Sequence, residues 1–194
     1  MSTEPMHLIN RREAVRRIAL IMGTAMVASD VILRGASVGV KDLPAFTDAD
    51  KALLDEIGET IIPTTDIPGA KATGIGPFMA MFVTDCYNQK EHATFSDGLG
   101  KIDAESKRRF GKGFVDATPE QRLVLCNDLD KEQRRFHDSK PKGEQEHYFR
   151  MMKELTLMGY FSSEIGCTQA VSYIEVPGAW HGDVPFKKGD KEWY

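Results

Sequence analysis

The sequence predicts an all-α fold: a compact bundle of about five helices, with a further helix at the N-terminus and an irregular, aromatic-rich C-terminal tail. Three observations carry this prediction. Apolar residues recur at spacings of three and four through most of residues 47–162, which is the period of a helix with one buried face. Helix-start signals of the Ser/Thr-x-x-acid/amide kind precede two of these runs. Finally, 41% hydrophobic content in 194 residues is enough for one core.

The chain opens with a charged and then apolar segment, "NRREAVRRIALIMGTAMVASDVIL", residues 10–33. The apolar run from Ile18 to Ala28 is apolar all round rather than striped, and it falls short of the about 20 residues a spanning helix needs. Its length suits the core of a secretory signal behind a positively charged start. Adjacent Arg11 and Arg12 give it the twin-arginine form, read by the pathway that exports proteins already folded. Residues 1–34 are therefore expected to be a twin-arginine export signal recognised by the twin-arginine translocase. No Ala-x-Ala type site follows the run and the best local cleavage candidate is Val27-Ala28-Ser29, so an uncleaved, shallow membrane anchor stands as the alternative to removal. The expected location is the periplasm, with inner-membrane association if the segment is retained.

Charge supports the division. Residues 1–41 carry six Lys/Arg (Arg11, Arg12, Arg16, Arg17, Arg34, Lys41) and three acids (Glu4, Glu13, Asp30), a net of +3 in a chain of net −4, which leaves −7 for the remainder. A basic head on an acidic body argues against nucleic acid as a partner, because phosphate binding wants a concentrated basic face.

After a linker at residues 35–46, the bundle domain is expected over 47–162. Thr47, with Asp50 three places on, starts the first helix, and Leu53, Leu54, Ile57 and Ile61 continue it until Pro63. "TTDIPGAKATGIGP" has no period and reads as a loop. Pro77 is expected at the first position of the second helix, whose Phe78, Met81 and Phe82 share a face. Phe95, Leu99, Ile102, Ser106 and Phe110 form one stripe on the third. Thr118, Pro119 and Gln121 begin the fourth as a capping box with proline at the first turn. Phe149, Met152, Leu155 and Thr156 line the fifth, with Gly159 marking its end. The tail, residues 163–194, has no helical period; its load of tyrosine, tryptophan and phenylalanine argues that it lies over a surface rather than hanging free.

Catalytic signatures are sparse. The three cysteines, Cys86, Cys126 and Cys167, lie about forty residues apart and form neither a C-x-x-C pair nor a haem or zinc pattern; they are expected to be small buried hydrophobes. His7, His92, His137, His147 and His181 are scattered, with no metal-ligand spacing. No G-x-G-x-x-G, phosphate loop or G-x-S-x-G elbow occurs. His181, in "AWHGD", is the one residue that tempts as a general base, and a stand-alone exported helical enzyme with a pocket near it is the competing reading.

Several segments together resemble one family. "NRREAVRRIAL", "LLDEIGETIIPTTDIPGAKATGIGPFM", "DCY", "FGKGFVDATPEQRLVL" and "FRMMKELTLMGYFSSEIGCTQAVSYIEVPG", with the tryptophan-bearing tail, resemble the small subunit, subunit 3, of gluconate 2-dehydrogenase and related membrane-associated sugar dehydrogenases. The resemblance implies a non-catalytic partner of a large FAD-containing subunit of the glucose-methanol-choline type, often with a cytochrome c subunit that carries haem. It offers no catalytic, metal or cofactor residue in this chain. It also implies that the small subunit carries the export signal for both. The partner-facing surface is expected at Tyr160, Phe161, Trp180 and His181, because aromatic anchors are enriched at interfaces and an irregular segment presents side chains that regular helices bury.

Overall fold

The computed structural model describes residues 44–176, 178–179, 182–185 and 187–192. The expected signal segment, residues 1–34, and most of the linker lie outside them. Among the described residues there are five α-helices and no strand: α1 Asp48–Ile61, α2 Ile75–Cys86, α3 Gln89–Phe110, α4 Pro119–Ser139 and α5 Tyr148–Phe161. A short 3-10 turn, Ala70–Thr73, precedes α2, and a single π-helical turn, Gly166–Ala170, follows α5.

Local chemistry starts each helix. Thr47 accepts from the backbone of Asp50 while the Asp50 carboxylate accepts from the backbone of Thr47, and Thr118 and Gln121 do the same at α4. Asn88 and Glu91 form a third such box at α3. Each satisfies two backbone N–H groups that no turn of the helix reaches.

The second helix differs from expectation. It starts at Ile75, so Pro77 is its third residue rather than its first, which costs nothing because first-turn N–H groups have no helical acceptor. Its N-cap is Gly74 at φ 69°, a left-handed conformation suited to glycine, and it has no side chain to offer. Asp55 of α1 substitutes: its Oδ1 accepts from the Gly76 N–H at 2.7 Å. The buried face is Ile75, Met79, Ala80 and Val83, whereas Met81 is 56% exposed and Phe78 and Phe82 are half-buried. A helix this uniformly apolar has two plausible inner faces by spacing alone, and the α1 contact selects one.

Helix α5 is the centre of the bundle, touching each of the other four, while α1 and α2 form the most extensive pair. Close approach is built into both pairings. A Cβ on Gly76 would meet the Lys51 carbonyl oxygen at 2.1 Å, and one on Gly159 would meet Ile75 and Phe78 side chains at 2.5–2.6 Å. Gly159 lies in the last turn of α5, two residues before its end at Phe161. It is the notch that lets α5 sit against α2.

The core comprises Leu54, Ile57, Met79, Val83, Phe95, Ile102, Phe114, Leu125, Met152 and Leu155, all at 2% exposure or less. Burying each such side chain contributes about 1.5–3 kcal/mol. Phe114 lies in the α3–α4 connection, held because its N–H donates to Asp103 Oδ1 at 3.0 Å. His92 is also buried, on α3, beside Phe46 with ring centres 5.2 Å apart. The cysteines are free: Cys126 is buried as expected and Cys167 half-buried, but Cys86, in the last turn of α2, is exposed.

Candidate partner interface

The end of the bundle where α1 turns into α2 and α5 turns into the tail brings together two of the segments that carry the resemblance, the loop after α1 and the last turn of α5. Glu59, in the last turn of α1, organises the loop that follows. Its Oε1 accepts from the Thr64 N–H at 2.8 Å and from the Thr64 hydroxyl at 2.7 Å, and its Oε2 accepts from the Lys71 N–H at 3.0 Å. Thr64 Oγ1 in turn accepts from the Gly69 N–H at 2.9 Å, and the Ala70 N–H donates to the Ile62 carbonyl at 2.9 Å. One turn back, Glu56 pairs with both Lys71 and Arg122, and Arg122 also donates to the Ala117 carbonyl at 2.9 Å, tying α1, the loop and the start of α4 together. Burial pushes the Glu56 carboxyl up, but the hydrogen bond from Lys71 and the adjacent Arg122 outweigh it and hold it below the usual carboxylate range.

Tyr160 completes this arrangement from α5. It is 3% exposed, and its hydroxyl donates to the Pro68 carbonyl at 2.9 Å, a contact across 92 residues of sequence. Burial and the Glu59 carboxylate raise the Tyr160 pKa, so the hydroxyl stays a donor. Tyr160 is thus a core residue that fastens the loop; it does not present its ring to the outside as a partner-facing residue would. Phe161 beside it is half-buried, its ring edge-on to Tyr160 at 5.2 Å. Trp180 and His181, with Arg11 and Arg12, lie outside the described residues. Of the four residues expected at the interface, the structure describes two and brings them together as neighbours in packing.

Several large apolar side chains remain open. In the tail, Tyr173, Ile174, Val176 and Val184 are 48–79% exposed. On the bundle, Leu157 and Met158 of α5 and Leu123 and Val124 of α4 are 40–53% exposed. The two helices run antiparallel, since Glu132 meets His147 and Asp130 meets Lys153 at 2.6 Å. Leu123 lies two helical turns before Asp130 and Leu157 one turn after Lys153, so both share the seam-facing side that carries this ion pair. Exposed leucines at helical spacing were missed in the sequence, because a period marks an apolar face without saying whether another helix covers it.

Three open clefts of about 510, 560 and 440 Å³ indent the bundle. Several of their carboxylates are engaged in holding the fold. In the first, Asp103 accepts from Phe114 N–H and pairs with Lys107 at 2.6 Å. In the second, Glu91 belongs to the α3 cap and Glu146 pairs with Lys140. In the third, Glu105 bridges Arg108 and Arg109, and Asp128 pairs with Arg109 at 2.7 Å. Among the described residues no group of three or more His, Cys, Asp or Glu side chains is placed to hold a metal ion. None of the helices among them is long and apolar enough to cross a membrane.

Neither a curated protein nor a solved structure matches the chain. A family model does: that of gluconate 2-dehydrogenase subunit 3 matches residues 48–178, from the first residue of α1 into the exposed tail. Because the match spans well over half of the 194 residues and takes in all five helices, the chain belongs to the gluconate 2-dehydrogenase subunit 3 family.

Proposed function

We propose that this chain is the non-catalytic small subunit of a periplasmic sugar or glycoside dehydrogenase, and that it supplies the twin-arginine export signal and assists assembly of an FAD-containing catalytic subunit. Its family is that of a subunit of a dehydrogenase complex. The single observation that carries the finer reading is the coincidence of that family match with a separate head, residues 1–41, bearing Arg11-Arg12 and a charge of +3 on an acidic body. FAD, when bound, belongs to the partner, which would perform the sugar oxidation; haem belongs to a cytochrome c subunit where one is present. A flavoprotein that folds around its cofactor before export needs a route for folded proteins, and one partner bearing the arginines suffices for two chains. The open apolar residues of the tail are the proposed contact surface, together with Phe161 and, from the sequence alone, Trp180 and His181.

The test is purification of the tagged full chain from its native host, with cell fractionation alongside. A yellow co-purifying flavoprotein in the periplasmic fraction is the expected result. Arg11→Lys with Arg12→Lys should leave both proteins in the cytoplasm, because lysine lacks the planar guanidinium fork. A colourless monomer with dehydrogenase or hydrolase activity of its own would favour instead the stand-alone enzyme with a pocket near His181.

A further inference from the structure

The corner between α4 and α5 holds an unusual helix start. The N-cap of α5 is His147, whose Nδ1 accepts from the Phe149 N–H at 3.3 Å. Ser, Thr, Asn and Asp are the common occupants of this position, and their oxygens accept at any neutral pH. An imidazole nitrogen accepts only while it carries no proton. With Nδ1 occupied as acceptor, the neutral ring must bear its proton on Nε2, and that nitrogen faces the Glu132 carboxylate of α4 at 3.5 Å. The ring is enclosed by Tyr148, centres 4.2 Å apart, and Phe136 of α4, centres 5.8 Å apart.

We propose that His147 is an acid-sensitive latch: neutral, it caps α5; protonated, it turns a donor toward the Phe149 N–H, releases the first turn of α5 and loosens the α4–α5 corner. Two consequences of protonation act together. The acceptor is lost, and a positive charge is placed at the helix end that already carries the positive pole of the dipole. Charges around the ring decide whether anything compensates. From α4 comes Glu132, which favours the imidazolium, but its side chain is 64% exposed and screened by solvent, whereas that of His147 is 9% exposed. From α3 comes Lys101, whose Nζ lies 5.5 Å over the Tyr148 ring and opposes a second positive charge. The connection and α5 contribute Lys140, Glu146 and Arg150, which pair with one another, with His137 and, through Arg150 at 2.9 Å, with Glu154. Burial outweighs the attraction of Glu132 and lowers the His147 pKa from its ordinary 6.5. The sign follows: the capped form is fully favoured above 6.5, and its advantage is lost as pH falls through the lower, folded-state value. Since α5 touches every other helix and leads into the tail, the latch sits where loosening reaches furthest.

Histidine-labelled NMR on the full chain, with amide exchange, tests this. His147 should show an unprotonated Nδ1 at pH 7.5 and titrate below 6.5, and the protection of the Phe149 amide, corrected for the intrinsic pH dependence of exchange, should fall about fivefold as it does so, the usual worth of an N-cap. His147→Asn supplies a cap that does not titrate, and should keep Phe149 protected across the same range. His92 is also held below its ordinary value by burial, so acid lowers global stability through it as well; the local Phe149 readout separates the two. A His147 midpoint at or above 6.5, Phe149 protection indifferent to that titration, or equal acid loss in His147→Asn would each overturn the proposal. The two measurements on the unsubstituted chain decide it even where the variant folds poorly.

Discussion

Two segments of this chain look alike in sequence and behave differently in the fold. Residues 62–74 and residues 172–192 are both rich in glycine and proline and free of helical period. The first is bound at both ends and in its middle: Glu59 accepts three hydrogen bonds from it, Tyr160 donates to Pro68, and Ala70 is fully buried. Among the described residues of the second, the Ser172 N–H donates to the Glu192 carbonyl at 2.8 Å and Asp190 accepts from the Lys187 N–H at 2.7 Å, while Tyr173, Ile174, Val176 and Val184 are exposed. The difference lies in what the neighbouring helices offer. A loop becomes rigid where a carboxylate at a helix end can collect its backbone donors and a hydroxyl from a facing helix can take up a carbonyl. Without such groups a segment of the same composition keeps its apolar residues at the surface.

The sharpest way to break the contrast is to make the first loop as loose as the second. A Cβ on Gly69 would meet the Glu59 carboxylate and the Thr64 nitrogen at 2.5 Å. Gly69→Val should therefore cost about 3 kcal/mol, the upper range for forcing atoms into a packed site, and thermal unfolding of the isolated chain measures it. Next in size is Glu59→Ala, which leaves the Thr64 and Lys71 N–H groups without their acceptor; since the site is half-buried and water replaces part of the loss, about 2 kcal/mol is expected. Exchange of those two amides should rise while the amides of α3 keep their protection.

How far the sequence reveals this fold depends on the range of the interaction concerned. The caps at Thr47 and Thr118 were legible because donor and acceptor lie three residues apart. The stripe from Phe95 to Ser106 was legible because α3 is polar elsewhere, so its period names one face. The start of α2 was not, because its cap is Asp55, 21 residues away on another helix. Gly159 read as marking the helix end and lies in the last turn, but its packing role against Ile75 and Phe78 was not legible, since those partners are far away in sequence. Tyr160 read as an interface aromatic and is a buried fastener for the same reason: its acceptor, Pro68, is invisible to any local pattern. The cap formed by His147 went unread because histidine is outside the usual N-cap set.

The third prediction isolates that fastener. Tyr160→Phe keeps the ring in the core and removes only the hydroxyl that Pro68 receives, so the loss should be near 1 kcal/mol, the net worth of one hydrogen bond. The melting temperature should fall by roughly 2–4 °C for a chain of this size. A loss above about 3 kcal/mol would mean that the loop depends on Tyr160 more than on Glu59, reversing the order of the two substitutions.

The tail should respond in the opposite way. Val176 is 79% exposed, so replacing it removes no buried area from the isolated chain, and Val176→Ser is expected to change stability by less than about 0.5 kcal/mol. If the tail is a contact surface for the dehydrogenase partner, the same side chain is buried in the complex. Removing it together with its neighbour, as Ile174→Ser with Val176→Ser, then costs the transfer energy of two aliphatic groups, about 3 kcal/mol, or roughly a hundredfold in affinity. Co-purification of the flavoprotein with the tagged chain measures the second effect, and a melting curve of the chain alone measures the first. An unchanged melting curve with a weakened complex identifies the tail as a surface completed by its partner. A double variant that melts earlier and binds as tightly as before would show that these residues pack on their own bundle in solution, and the contrast between the two irregular segments would then be one of degree.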